Sequence, residues 1–172
     1  GHPAAMGGTQ RVGRVGDDRA GDSLLVALSG AGVGHAAVLR DPVVPTPIMA
    51  PSPDPDPADD LLVDVPGAAA QGIAGGPRLE PADVALGLSY LTAFRVLVVT
   101  DDAPADVIPA CVAGAAFSGA HLVVLVPAGG QIPGELPTDA VVLTAPDDPA
   151  DAAFGAVVGS YAAAVDDGED PA

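Results

Sequence analysis

Two aspartate pairs, Asp17-Asp18 and Asp101-Asp102, each follow a run of β-forming residues, and they are the side chains here best placed for chemistry. Gly13-Arg-Val-Gly16 leads into the first pair and Gly21 follows it, so the backbone can turn tightly from strand to helix at that point. Open α/β sheets bind small molecules outside the carboxyl ends of their strands, and carboxylates at such turns can line a ligand site. The same carboxylates can also do no more than stabilise a turn and a helix N-terminus. Both readings stay open, and Gly16, Asp17, Asp18, Asp101 and Asp102 are the candidate ligand-binding residues. No residue is assigned a catalytic or metal-binding role.

Other reactive residue types lack the company that chemistry requires. His2, His35 and His121 are dispersed, with no Cys or His at metal-ligand spacing, so each is expected to be structural. Ser118 and Ser160 lack a nucleophile-elbow context. Asp147-Asp148, between prolines, is expected to cap a helix rather than bind a metal. Gly72-Ile-Ala-Gly-Gly76 lacks the Lys and Ser/Thr of a phosphate-binding loop and is expected to be a turn. Phosphoryl transfer needs donors or metal ions on the moving group's oxygens and a base for the acceptor hydroxyl, and this sequence offers neither set. It contains no Lys and no Asn.

The elements that would position these residues follow from periodicity. Arg11–Val15 alternates as a strand, and Leu24, Leu25 and Leu28 mark a helix that Gly30 and Gly32 end. Strands are expected at His35–Arg40, Thr46–Ala50 and Leu61–Val65, with the proline-rich 51–57 as an exposed polyproline-like loop between the last two. Glu80-Pro81-Ala82-Asp83 reads as a helix start, with Pro early and acids in the first turn, for a helix to about Ala93. Val96–Thr100 and Leu122–Val126 are apolar runs that fit strands covered on both faces, and Ala105–Ser118 supplies a helix between them. Val141–Thr144 is a shorter strand, and Ala150–Val165 a closing Ala-rich helix before a fraying acidic tail. The second half alternates strand and helix, which predicts parallel β-α-β units.

At 172 residues the chain suits one compact domain, which at this size buries roughly 70% of its unfolded surface. Half the residues are apolar but only 3% are aromatic, so the core must be made of small side chains. Six arginines against 23 acids leave a net charge of −17, which would repel phosphate backbones and anionic lipids. Neither a nucleic-acid nor a membrane partner is expected; no apolar stretch approaches the ~18 residues of a span, no secretory leader is evident, and a cytoplasmic location follows. The single Cys111 lies in a small-residue apolar stretch and is expected to pack there.

The stretch Gly13-Arg-Val-Gly16-Asp17-Asp18-Arg-Ala-Gly21-Asp-Ser-Leu24 through Val33 resembles the segment that follows the sugar-binding Gly-Gly motif in ribokinase-like (phosphofructokinase B-type) carbohydrate kinases. Leu79-Glu-Pro-Ala-Asp-Val84 and Arg95-Val-Leu-Val-Val-Thr100 look like that family's central helix and following strand. The resemblance implies a ribokinase-like three-layer α/β core with parallel strands and a small β lid in the first third. It makes residues 1–172 a single incomplete domain, with lid strands at about 35–65 and a β-α-β core at about 79–165. It places Asp102-Ala103-Pro104 near an acid that often faces the sugar, although the lid's usual Thr-Gly is Thr46-Pro47 here.

By the same resemblance the family's Gly-Gly motif would precede residue 1, and its Gly-Ala-Gly-Asp anion hole with the catalytic Asp would follow residue 172. Its Asn-x-x-Glu motif would fall near Thr144, where Ala145-Pro-Asp-Asp-Pro149 stands instead. The expectation is therefore a family member without phosphotransferase activity and without a cofactor, acting as a binding, regulatory or assembly protein toward a small sugar or nucleoside. The alternative is an active sugar or nucleoside kinase, using ATP and Mg, completed by another chain or segment. A homodimer is expected through the lid strands, with Val38, Ile48, Met49, Leu61 and Val63 on the shared face.

Overall fold

The computed structural model describes residues 8–48, 75–91, 93–132, 134–146 and 152–168. The protein is mixed α/β, with parallel sheets and four α-helices among those residues. It divides into two compact units, Gly1–Arg78 and Leu79–Ala172.

In the first unit β1 (Gln10–Gly16), α1 (Arg19–Gly30) and β2 (Gly34–Asp41) form one β-α-β unit. The strands pair in parallel from Val12 opposite Ala37 to Gly16 opposite Asp41, with an irregularity between Gln10 and Val12. Parallel neighbours need a crossover, and α1 is that crossover. Val15 and Ala37 are buried where the strands meet, and α1 buries Gly21 against them. The stretch expected as the first lid strand, His35–Arg40, is thus the closing strand of a β-α-β unit in this structure.

A strand at Thr46–Ala50 does not form over its described part: residues 46–48 belong to no ladder. Pro45 and Pro47 flank Thr46 and have no N–H to donate, and the Thr46 N–H is used elsewhere. Met49, Ala50, the proline loop 51–57 and the strand expected at Leu61–Val65 lie outside the described residues.

The second unit is built on α2 (Pro81–Tyr90), β3 (Val96–Val99), α3 (Ile108–Ser118, preceded by a 3-10 turn at Ala105–Val107), β4 (His121–Val126), β5 (Val141–Thr144) and α4 (Ala152–Asp167). Its sheet runs β3-β4-β5, all parallel, with Val96 opposite His121 and Val123 opposite Val141. The helix start read at Glu80-Pro81-Ala82-Asp83 holds: Pro81 opens α2, and the Glu80 N–H donates to the buried Asp83 carboxylate at 3.0 Å. The central strand β4 is apolar and buried along nearly its whole length, as a parallel strand covered on both faces must be; Val123 and Val124 are each 1% exposed. Val107, Ile108, Cys111 and Ala115 from the 3-10 turn and α3, Val84 and Leu88 from α2, and Val158 and Val165 from α4 complete the core. Cys111 is packed there as expected, and burial pushes its thiol pKa up. The closing helix continues through Asp166 and Asp167, two residues past the expected end.

Candidate functional site

The first unit's candidate residues meet at the carboxyl ends of β1 and β2. Asp18 has extended backbone and is the N-cap of α1, so one carboxylate oxygen accepts the Gly21 N–H at 2.7 Å. Its other oxygen accepts the Thr46 N–H, also at 2.7 Å. The Gly16 N–H in turn donates to the Thr46 hydroxyl at 2.8 Å. Strand end, helix start and the segment after β2 are thereby tied by three hydrogen bonds through two side chains.

The two glycines leave room for this knot. A Cβ on Gly16 would lie 2.5 Å from the Thr46 nitrogen, and one on Gly21 would lie 2.3 Å from the Gly16 carbonyl oxygen. The hydrogen bonds from Gly21 and then Thr46 hold the Asp18 pKa below the usual carboxylate value.

Asp17 lies outside the knot. Its N–H donates to the Asp41 carbonyl at 2.8 Å, and its exposed carboxylate is 3.2 Å from Arg40, which also pairs with Asp22. Asp41 binds the turn that follows β2: one oxygen accepts the Val44 and Val43 N–H groups at 2.9 Å each, which lowers its pKa, with Arg14 3.7 Å from the other oxygen. Gly76 packs against Pro47, the residue after Thr46.

In the second unit Asp101 and Asp102 follow β3. The Thr100 hydroxyl donates to the Asp102 carboxylate at 2.5 Å, while Asp101 lines a cleft of about 150 Å3 at the carboxyl ends of β3 and β4. Val99, Ile108, Val124 and Val126 give this cleft an apolar wall, and Thr100, Asp101 and Gln131 are its polar side chains. Such a position is the usual one for small ligands on a parallel sheet. Each aspartate pair is thus described within its own unit, Gly16, Asp17 and Asp18 in the first and Asp101 and Asp102 in the second.

Sequence reasoning passed over Thr46, Asp41, Thr100 and Gln131. The Asp18-x-x-Gly21 spacing of an N-cap was a usable local signal for half of the knot. Nothing local links Asp18 to Thr46, 28 residues further on.

Fold and sites together define a mixed α/β protein with its candidate residues at the carboxyl ends of parallel strands. No protein-family model matches the chain, and comparison with curated proteins gave no match. Among the described residues no group of three or more His, Cys, Asp or Glu could hold a metal ion. Nor is any described helix long and apolar enough to cross a membrane.

Proposed function

We propose that this chain is a ribokinase-like protein that binds a small sugar or nucleoside without transferring phosphate, and serves as a binding, regulatory or assembly protein. The observation that carries this reading is the engagement of Asp18. Both of its oxygens accept backbone N–H groups of its own unit, so this carboxylate of the Gly16-Asp17-Asp18 motif holds the strand-to-helix turn in shape as a structural clasp. The motif's resemblance to the family supports the assignment, and so does the β-α-β unit built around it. These 172 residues contain no Asn for an Asn-x-x-Glu motif and no Lys, so they do not supply the groups that would organise a transferring phosphoryl.

The test is incubation of the purified chain with ATP, Mg and ribose, fructose or adenosine, alongside a thermal-shift screen of the same acceptors without ATP. The expected result is stabilisation by at least one acceptor and no phosphorylated product; a ligand at 100 times its dissociation constant adds about 2.7 kcal/mol. Product formation that survives repurification and disappears in Asp17→Asn or Asp102→Asn would overturn it.

One observation favours a second reading, an active kinase with ATP and Mg completed by another chain or segment. The cleft beside Asp101 is open at the strand ends, where an acceptor hydroxyl would lie. Turnover that appears only on adding such a partner would select that reading.

A further inference from the structure

We infer that the outer face of α2 and α3 docks a basic amphipathic segment of another protein, an inference that goes beyond ligand binding and does not depend on it. Charge is missing here from the surface of a strongly acidic chain. The exposed positions of α2 are Pro81, Ala82, Ala85, Leu86, Ser89 and Tyr90, and its one acid, Asp83, is buried. The helix α3 has no charged residue along its length. Leu86 is 45%, Tyr90 68% and Phe117 94% exposed. With a net charge of −17 to distribute, a surface shaped by solubility alone would carry acids at such positions.

The two helices lie in close contact, because Leu88 fills the space where a Cβ on Gly114 would stand. The 3-10 turn that opens α3 also packs on α2, which sets the helices side by side and running the same way. Tyr90 lies just past Leu88 and Phe117 just past Gly114, so both aromatics stand toward the carboxyl ends of the pair. Glu80 and Asp106 stand at the other end, before α2 and in the turn before α3. An uncharged, aromatic centre with charge at its rim is the anatomy of a protein interface. Over Leu79–Ala172 there is no lysine and Arg95 is the one arginine, so carboxylates dominate the surroundings of this face and their complement is Lys or Arg. A second copy, equally acidic, would bring more carboxylates to the same rim. Leu86 and Tyr90, one helical turn apart, with Phe117 on the neighbouring helix, suit the apolar stripe of a helix.

Fluorescence anisotropy of the full chain with labelled peptides of about 14 residues tests the inference. One peptide carries Leu at i, i+3, i+4 and i+7 with Lys elsewhere, a second has Glu in place of Lys, and a third shuffles the first so that no apolar face forms. The first is expected to bind about tenfold more tightly than the other two at about 50 mM salt. Phe117→Ser and Tyr90→Ser should each weaken it about tenfold, although neither changes the charge of the chain and both side chains lie outside the core. Attraction to the acidic surface alone would survive these substitutions. A shuffled or Glu-bearing peptide that binds as tightly as the first, binding undiminished in both variants, or no binding of the first peptide overturns the inference. A wild-type dimer that Phe117→Ser dissociates in sedimentation assigns the face to a second copy and overturns it as well. None of these readouts involves a sugar or nucleoside, so every outcome leaves the ligand-binding reading to its own test.

Discussion

Asp18 illustrates how a residue that reads as a ligand carboxylate can be consumed by its own fold. Its charge is stabilised by two backbone N–H groups, so its pKa is lower in the folded protein than in the unfolded chain, where it is about 3.9. As pH falls the unfolded state therefore takes up the proton first. The stabilisation is fully present above the unfolded value and is lost as pH drops through it toward the folded one. Chemical denaturation from pH 7 to pH 3 should show wild type losing stability below about pH 4, and Asp18→Asn less stable at pH 7 but with a shallower acid limb. Asp41, lowered by its own turn, leaves part of the acid limb in the variant. Parallel limbs would contradict the clasp. Thr46→Val tests the other side of it: the Gly16 N–H loses its acceptor, at a cost of about 1 to 2 kcal/mol.

Among the elements, β4 and its neighbours carry the second unit. Val123 is fully enclosed, and truncating it to Ala removes two buried carbons and leaves a cavity, so about 2 to 3 kcal/mol should be lost in urea denaturation. Phe117, on the outer face of α3 and 94% exposed, should tolerate Ala within about 0.5 kcal/mol. Equal effects at the two positions would mean that the sheet is not where the unit's stability resides. This part of the fold was legible because its signals are local. Val-rich runs announce covered parallel strands, and Glu80-Pro81-Ala82-Asp83 carries its own cap. Residues 46–48 form no strand: their sequence suggests a ladder, whereas two prolines and a distant carboxylate decide the path there. The candidate sites were half legible. Strand–turn–helix chemistry points to both aspartate pairs, but which carboxylate faces open space depends on contacts made across 28 residues at Asp18 and on the turn after Thr100.

At the scale of the whole molecule, an acidic chain with short sheets must balance repulsion against unpaired strand edges. Among the described residues the first unit has two strands, β1 and β2, and the outer edge of β2 pairs with no described strand; sheets of two strands are marginal alone. Ile48, 76% exposed and seven residues after β2 ends, adds apolar surface to the first unit. Pairing of two copies about a two-fold axis through the stretch from His35 onward satisfies both needs, and we propose it as the solution state. The net charge of −17 opposes that contact, so association should strengthen as salt rises from 50 to 500 mM. Sedimentation velocity at tens of micromolar should find twice the 16.6 kDa chain mass, and Ile48→Asp should return a folded monomer, since the side chain it replaces lies outside the core. A wild-type monomer at both salt concentrations would dismiss the dimer. So would an Ile48→Asp protein that remains dimeric, because the shared face would then lie elsewhere.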